Sequence, residues 1–422
     1  MADLEDTKDF RPRSILDTDL YKLTMQQAVL QHFPKSNVTY AFTNRSKDML
    51  FSRESYKLAK ESVGRLAELK LQEKEIAWLK ENCPYFTDDY IAYLSSYRFR
   101  PAEQVKMEFQ VTKEPDFGAI TIEISGLWVE TILYEVPVMS ILSEAFFLTV
   151  DRGWSYEGQE ELAYEKAKKL IQGGLAFSDF GTRRRRSYHG QDLLIRGLIR
   201  GHKEFGGEGV EGRFTSTSNP HFAMKHGIPT VGTIAHEWIM GIAALRGYEN
   251  ANGIALDLWE DTYPTTKSNV LHIALTDTFS TEAFAANFIT DVDRAKRWRG
   301  LRQDSGDPIE YIPKARAIYE QLGIDYSKKT IVFSDGLDVE NALHIKKEVD
   351  KVGFMAAFGI GTFLTNDYKR LDNGERSMPL NMVVKLSSIE GKPCVKISDE
   401  LSKNTGDANT VTRVKQTFNI LA

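Results

Sequence analysis

Apolar and polar residues follow two regular spacings in the first third of the chain. Over residues 58–82, apolar side chains come three or four positions apart with charges between them, which predicts a pair of surface helices. Residues 103–113 and 119–131 alternate apolar with polar positions, as antiparallel strands do. The stretch 131–150 is apolar almost throughout and predicts an interior helix. Because polar side chains interrupt that stretch, we predict no membrane span.

From about residue 170 the pattern changes to short apolar runs that end in small polar loops and are followed by amphipathic helices. The polar ends recur roughly every 25–30 residues, at Asp277, Asp304, Asp335 and Gly361. This is the period of a β-strand followed by an α-helix, so four units in a row predict an α/β protein with part of a parallel sheet or barrel. Residues 379–399 alternate again and predict a hairpin that packs back on the first third.

Composition narrows the class of protein. The chain has 422 residues, 42% of them hydrophobic and 27% charged, which is ordinary for a globular protein with more than one structural unit or one large barrel. The net charge of −5 disfavours nucleic acid as the main partner. Two lone cysteines, Cys83 and Cys394, exclude a four-cysteine zinc site and fit a reducing compartment. The acidic N-terminus has no signal core, so we expect a cytoplasmic location, with the nucleus left open.

The acids at the predicted strand ends are the first candidates for chemistry. Carboxylates at the mouth of a barrel can hold Mg²⁺, bind sugar hydroxyls or stabilise a developing cation, and Asp277, Asp304 and Asp335 would converge there. The alternative is that each one caps the following helix. Arg302, two residues before Asp304, is placed to neutralise a substrate anion.

Two further segments carry residues suited to anions. Gly359, Gly361 and Thr362 follow an apolar run, and their backbone N–H groups could cradle a phosphate or form only a tight turn. The run Arg183–Arg186 has three possible interpretations: a nucleic-acid patch, a solvated helix start or a polyphosphate site. Phe180, just before this run, would stack on a flat ring or belong to the core.

His236 is the most distinctive of the eight histidines, because it follows an apolar run and directly precedes Glu237. An imidazole beside a carboxylate can act as a general base or a nucleophile, although a single histidine is more often structural. The motif HEW lacks the second histidine of a zinc protease.

A series of motifs in this chain resembles one known family. In order they are LDTDLYKLTM, TNRS, SDFGTRRRRS, TSTSN, GTIAHEWIMG, LTDTF, RQDSGDP, FSDGL, AFGIGT and VKISD. They are similar to those of the nicotinate phosphoribosyltransferases in their fungal form, which are type II phosphoribosyltransferases. The resemblance implies an irregular α/β barrel over residues 146–369 that holds the active site. It also implies an α+β domain built from residues 1–145 and 370–422.

The resemblance also implies a reaction. Nicotinate and phosphoribosyl pyrophosphate would give nicotinate mononucleotide and pyrophosphate in NAD salvage, coupled to hydrolysis of ATP and dependent on Mg²⁺. The protein would then be classed as a ligase with glycosyltransferase chemistry. Its partners would be these small molecules rather than nucleic acid or membrane, and a homodimer stays open. Turnover of nicotinamide is the alternative.

Roles carry over from the family residue by residue. His236 matches the histidine that ATP phosphorylates, and Tyr21 and Phe180 match the pair that sandwiches the pyridine ring. Arg183 and Arg302 match positions that face the ring substituent and the phosphates. The ribose and Mg²⁺ positions match Asp277, Asp304 and Asp335, of which Asp277 and Asp304 are the candidate metal ligands. The 5′-phosphate loop matches Gly359, Gly361 and Thr362.

Ser218 bears on the choice of substrate. The related nicotinamide enzymes have an aspartate where TSTSN places Ser218, and a serine hydroxyl can donate to a carboxylate that an aspartate would repel. We therefore expect nicotinate to be preferred. Glu237 follows His236 rather than preceding it, which leaves open which carboxylate orients the imidazole.

Overall fold

The structure is a computed structural model that describes residues 10–112, 114–400 and 404–420. Its helices are α1 Leu20–His32, α2 Arg53–Gly64, α3 Glu73–Asn82, α4 Asp88–Ser96, α5 Pro101–Gln104, α6 Trp128–Thr131, α7 Glu135–Thr149, α8 Gln159–Gln172, α9 Tyr188–Phe205, α10 Pro220–His226, α11 His236–Arg246, α12 Ala251–Thr262, α13 Thr281–Phe288, α14 Val292–Arg297, α15 Pro308–Gln321, α16 Val339–Val352, α17 Thr362–Thr365 and α18 Ala408–Thr417. Short 3-10 turns cover Arg65–Glu68, Thr182–Arg184 and Tyr326–Lys328.

The strands form two large sheets and one small ribbon. They are β1 Asn37–Asn44, β2 Phe51–Ser52, β3 Val105–Val111, β4 Phe117–Leu127, β5 Ala176–Asp179, β6 Arg213–Thr217, β7 Ile273–Leu275, β8 Gly300–Gln303, β9 Thr330–Phe333, β10 Met355–Ile360, β11 Tyr368–Lys369, β12 Arg376–Ser377, β13 Met382–Ile389 and β14 Lys392–Pro393.

Both ends of the chain build the first sheet. Its order is β14-β13-β1-β4-β2, and β3 also pairs with β4. All of these pairings are antiparallel. The predicted strands at 103–113 and 119–131 are therefore confirmed as β3 and β4, although the second ends at Leu127. The predicted hairpin is β13 and β14, and β13 does pack back on the first third by pairing with β1.

The second sheet is parallel and has the order β6-β5-β10-β9-β8-β7. The four predicted strand–helix units supply β7 to β10 as consecutive neighbours, as expected. A parallel bridge from Thr217 to Thr230 continues the sheet beyond β6. This α/β architecture is consistent with an irregular barrel, and the domain boundaries near residues 145 and 370 stay a prediction. All six strands present their carboxyl ends at one edge, which is where α/β proteins place their sites.

Helix α7 forms the centre of the core between the two sheets. Twelve of its fifteen residues are buried, which confirms the predicted interior helix. The segment Trp128–Thr149 is long and apolar enough to cross a membrane, but 89% of its most apolar window is buried inside the protein. The predicted surface helices are α2 and α3, whose apolar positions such as Val63 and Leu79 are buried, while their charged residues other than Glu75 face solvent.

Candidate active site

His236 is the first residue of α11 and lies at the carboxyl edge of the parallel sheet. Its Nε2 atom is 3.0 Å from Asp304 Oδ2 and 3.8 Å from Asp277 Oδ1, and its Nδ1 atom is 3.0 Å from Thr278 Oγ1. Asp277 follows β7 and Asp304 follows β8, and these strands are parallel neighbours. Because their carboxyl ends meet at one edge, two residues that are 27 positions apart in sequence contact the same imidazole.

Lys396 completes this cluster, and the sequence analysis missed it. Its Nζ atom lies 3.0 Å from His236 Nε2 and 3.1 Å from Asp277 Oδ2, and the residue is 4% exposed. The available signal was a lysine inside the apolar run Cys394–Ile397, because a lysine buried in such a run needs an acidic partner.

The surroundings keep His236 neutral. Burial lowers the pKa of His236 to about 4, and the adjacent Lys396 ammonium contributes to this shift. Burial alone would raise the pKa of Asp304, but the Arg302 guanidinium and the imidazole hold it well below its usual range. Arg302 Nη2 donates to Asp304 Oδ1 at 3.0 Å, and the Ser334 hydroxyl donates to the same oxygen at 2.7 Å. The cluster therefore holds a neutral imidazole, one nitrogen of which keeps its lone pair, beside two carboxylates.

Asp277 provides the test of whether a metal fits here. Its Oδ2 atom accepts from Ser305 Oγ at 2.5 Å and from Lys396, whereas buried Oδ1 has no hydrogen-bond partner among the described residues. His236, Asp277 and Asp304 together have the composition and spacing of a cation site. Mg²⁺ is commonly held by one or two carboxylates with phosphate and water oxygens, so Asp277 Oδ1 fits as a direct ligand. Asp304 fits less well, since both of its oxygens already accept hydrogen bonds.

A second group of predicted residues lies on the other side of Asp304. Phe180 follows β5, and its ring lies so close to Gly359 that a Cβ atom there would be 2.3 Å from it. Partial desolvation acts to lower the pKa of Arg183, but Tyr21, Glu135, Asp19 and Asp304 raise it above its usual range. Arg183 therefore lies within electrostatic reach of both Tyr21 and Asp304.

Ser218 lies beside this group, but its hydroxyl is already engaged. It donates to Asp19 Oδ1 at 2.6 Å, and both residues are buried. Burial raises the pKa of Asp19 to about 6, although the Ser218 hydrogen bond opposes the shift. The predicted donation from Ser218 to a substrate carboxylate would require this hydrogen bond to exchange.

The remaining predicted residues share the same edge of the sheet. Gly361 directly precedes α17, and Thr362 is the first residue of that short helix after β10. Asp335 follows the neighbouring β9 and is close enough to Arg184 to act on its pKa. The structure thus places Asp277, Asp304, Asp335 and Gly361 at the ends of four adjacent strands.

The arginine run is not one surface patch. Arg185 is fully buried, and its Nη1 and Nη2 atoms donate to the two carboxylate oxygens of Asp17 at 2.7 and 2.9 Å. Arg186 is also fully buried and stacks on the ring of Phe147 at 3.6 Å. The alternatives of a solvated helix start and of a nucleic-acid patch are therefore wrong for these two residues. Only Arg183 and Arg184 are left for ligands.

A set of cations from both chain ends surrounds the mouth of the site, and the sequence analysis missed most of it. Burial lowers the pKa of Lys385 to about 7, and Lys396, Arg45 and Arg183 add to the shift. Burial lowers the pKa of Arg184 to about 9 in the same way, with Arg183 and Arg45 contributing. Cations crowded in this way favour a bound anion, because an anion relieves their mutual repulsion.

The fold and this site are those of an α/β protein with a cationic site at the carboxyl edge of a parallel sheet, which suits an anionic ligand. The Nicotinate phosphoribosyltransferase (NAPRTase) family matches residues 175–422, and the N-terminal domain of that family matches residues 16–143. The chain belongs to the nicotinate phosphoribosyltransferase family.

Individual relatives extend this similarity over nearly the whole chain. A Schizosaccharomyces pombe relative is 45% identical over 406 residues, covering 95% of this chain and 96% of its own length. The nicotinate phosphoribosyltransferase of Saccharomyces cerevisiae is 42% identical over 412 residues, covering 96% and 94%. The crystal structure of nicotinate phosphoribosyltransferase from Porphyromonas gingivalis aligns with a TM-score of 0.87 at 34% identity, over 97% of this chain and all of that one.

Proposed function

We propose that this protein transfers phosphoribosyl from phosphoribosyl pyrophosphate to nicotinate, in NAD salvage, and couples the transfer to ATP through a phosphohistidine at His236. The observation that carries the proposal is the neutral imidazole held between Asp304, Asp277 and Lys396 next to a cluster of cations. Family membership supports nicotinate and phosphoribosyl pyrophosphate as the substrates.

In the transfer step, the pyridine nitrogen bonds to the anomeric carbon as the bond from that carbon to the pyrophosphate oxygen breaks. Positive charge develops on the sugar and negative charge on the leaving group. Asp304 and Asp277 are ionised and suit the sugar, whereas Arg302 and Lys396 suit the phosphates. Phe180 and Tyr21 supply faces for the ring, and Arg183 supplies a cation for its carboxylate.

His236 is suited to accept a phosphoryl group. A neutral imidazole has a nucleophilic nitrogen, and the pKa of about 4 keeps His236 neutral at physiological pH. Once phosphorylated, the residue would carry roughly two negative charges beside Lys396 and two carboxylates. Attraction to Lys396 and repulsion from Asp277 would then rearrange the cluster, which gives ATP hydrolysis a means to switch between binding states.

Mg²⁺ would be held by Asp277 through its unpartnered Oδ1, together with substrate phosphate oxygens, with Asp304 as a second candidate. When bound, the ion would neutralise the departing pyrophosphate. We further propose a reducing location, the cytoplasm or also the nucleus, which suits the two buried free thiols of Cys83 and Cys394.

The test is transfer of radioactive phosphate from γ-labelled ATP, with the acid-labile label mapped to a peptide. The label should lie on His236. His236→Ala should abolish stimulation by ATP and leave a slow transfer that does not need ATP. His344→Ala, on the exposed face of α16, is the matched control and should behave like the wild type.

Two results would contradict parts of this proposal. If His236→Ala still hydrolyses ATP in step with product, the phosphohistidine role is wrong. If nicotinamide is turned over faster than nicotinate, the substrate is the amide, and the protein is a nicotinamide phosphoribosyltransferase.

A further inference from the structure

Lys22 is a buried cation next to the predicted ring site that the proposed chemistry does not use. Its side chain is fully buried, and its Nζ atom lies 2.5 Å from Glu135 Oε2 and 2.5 Å from Glu237 Oε2. The two carboxylates come from the first turns of different helices, since Glu135 begins α7 and Glu237 is the second residue of α11. Burying one ammonium between two carboxylates is costly, so its role needs an explanation.

The two carboxylates differ in their other partners. Glu237 Oε1 accepts from Tyr40 Oη at 2.5 Å and from Trp128 Nε1 at 2.7 Å, so Glu237 keeps two strong donors without Lys22. Among the described residues, Glu135 has one further hydrogen-bonding partner, Arg183, whose Nη1 is 3.5 Å from Glu135 Oε1. Glu135 therefore depends on Lys22, whereas Glu237 does not.

Arg183 is the group that would respond if Lys22 were absent. It lies at the long end of hydrogen-bond distance from Glu135, and its side chain is 42% exposed, so it is free to approach that carboxylate. A guanidinium binds one carboxylate best through two parallel hydrogen bonds. An unneutralised Glu135 would thus compete with a substrate carboxylate for the same donors.

We propose that Lys22 is a positioning residue that neutralises Glu135 and thereby keeps Arg183 available for the carboxylate of the pyridine substrate. This role rests on the proposed function, because it assumes that nicotinate binds beside Arg183. Lys22 itself does not touch the substrate. Glu135 lies 2.5 Å from Lys22 Nζ but 3.5 Å from Arg183 Nη1, so the geometry pairs Glu135 with Lys22 rather than with Arg183.

The first experiment replaces the ammonium with an uncharged side chain of similar length, Lys22→Met. The KM for nicotinate should rise about tenfold or more, because Arg183 would then pair with Glu135 instead of the substrate carboxylate, and close charge pairs have effects of this size on binding. The KM for phosphoribosyl pyrophosphate and kcat should change less than about threefold. A fall in kcat with both KM values unchanged would overturn the proposal, because it would indicate a general disturbance of the site.

Rescue separates positioning from a structural role. In the Lys22→Met background, Glu135→Gln should restore the KM for nicotinate to within about threefold of wild type, since a neutral amide no longer attracts Arg183. Glu237→Gln in the same background removes the same amount of charge but leaves Glu135 unneutralised, so it should not restore that KM. Equal rescue by both, or by neither, would overturn the proposal.

Lys22→Met alone could fail to fold, so Glu135→Gln in the wild-type background is the second measurement. Because this change removes the competitor of the substrate, the KM for nicotinate should be no higher than in wild type, and a rise above about threefold would overturn the proposal. The wild-type assay keeps the two hypotheses apart. If the wild type does not turn over nicotinate, the proposed function fails, and if it does but the rescue pattern is absent, only the role of Lys22 fails.

Discussion

Replacing Lys396 by methionine should raise the pKa of His236. The ammonium lies 3.0 Å from Nε2, and it disfavours a second positive charge on the imidazole. Two unit charges at this distance interact by about 1.4 kcal/mol at the dielectric constant of water and about 5 kcal/mol at an effective value near 20. Since about 1.4 kcal/mol corresponds to one pH unit, the pKa of His236 should rise from about 4 by at least one unit.

The direction in which Lys396→Met changes the pH dependence of activity follows from the need for an unprotonated imidazole at His236. Protonation removes the lone pair, so phosphorylation of His236 should be constant at neutral pH and fall only as pH approaches about 4 in the wild type. In Lys396→Met this acid limb should move upward, towards the usual pKa of histidine near 6.5. Loss of the ammonium also leaves Asp277 without one of its partners, which favours the imidazolium further.

The assay is NMR titration of the protein labelled with ¹³C at histidine, with the His236 signal assigned by its loss in His236→Gln. Lys392→Met is the matched control, because Lys392 is exposed on β14 of the same hairpin and its removal changes the net charge equally. An unchanged or lower pKa of His236 in Lys396→Met would refute the electrostatic reasoning. So would an equal rise in the control.

Two further predictions concern the arginine run and the ring site. Arg185→Met should lower the free energy of unfolding by about 3–5 kcal/mol, measured by urea denaturation, because it leaves the buried carboxylate of Asp17 without its counter-charge. Arg196→Met on α9, which removes a half-exposed pair with Glu160 of α8, should cost less than about 1 kcal/mol, and equal losses would contradict this view of Arg185. Tyr21→Ala should raise the KM for nicotinate far more than the KM for phosphoribosyl pyrophosphate, and an equal rise in both steady-state constants would count against Tyr21 as a ring contact.

The elements with regular hydrophobic spacing could be predicted from the sequence. The sequence predicts correctly the positions of β3, β4, α7 and the four units that contain β7 to β10. In each of these elements, the spacing of apolar residues follows directly from which side chains are buried. β5 and β6 were not predicted as separate strands. Each is short, and strands of a parallel sheet that is covered on both faces do not alternate apolar with polar residues. The convergence of Asp277 and Asp304 could be expected, since the carboxyl ends of parallel strands meet at one edge of the sheet.

The sequence could not show which charged side chains contact one another. Nothing local distinguishes Arg183, which faces the site, from Arg185, which pairs with Asp17 across 168 positions. Likewise, nothing near Lys396 indicates that it contacts His236, 160 positions away. Each contact depends on how one end of the chain packs against the part that carries the parallel sheet, which is a property of the tertiary structure. The question of which carboxylate orients His236 is answered in the same way, because Glu237 faces Lys22 while Asp304 contacts the imidazole.

The pairing of β13 with β1 has a consequence for synthesis in the cell. A nascent chain released before residue 382 would expose one long edge of β1, and such an edge can pair with other chains and aggregate. The same truncated product would lack the ammonium that touches His236. Synthesis must therefore pass residue 396 before the edge of β1 is covered and Lys396 can contact His236.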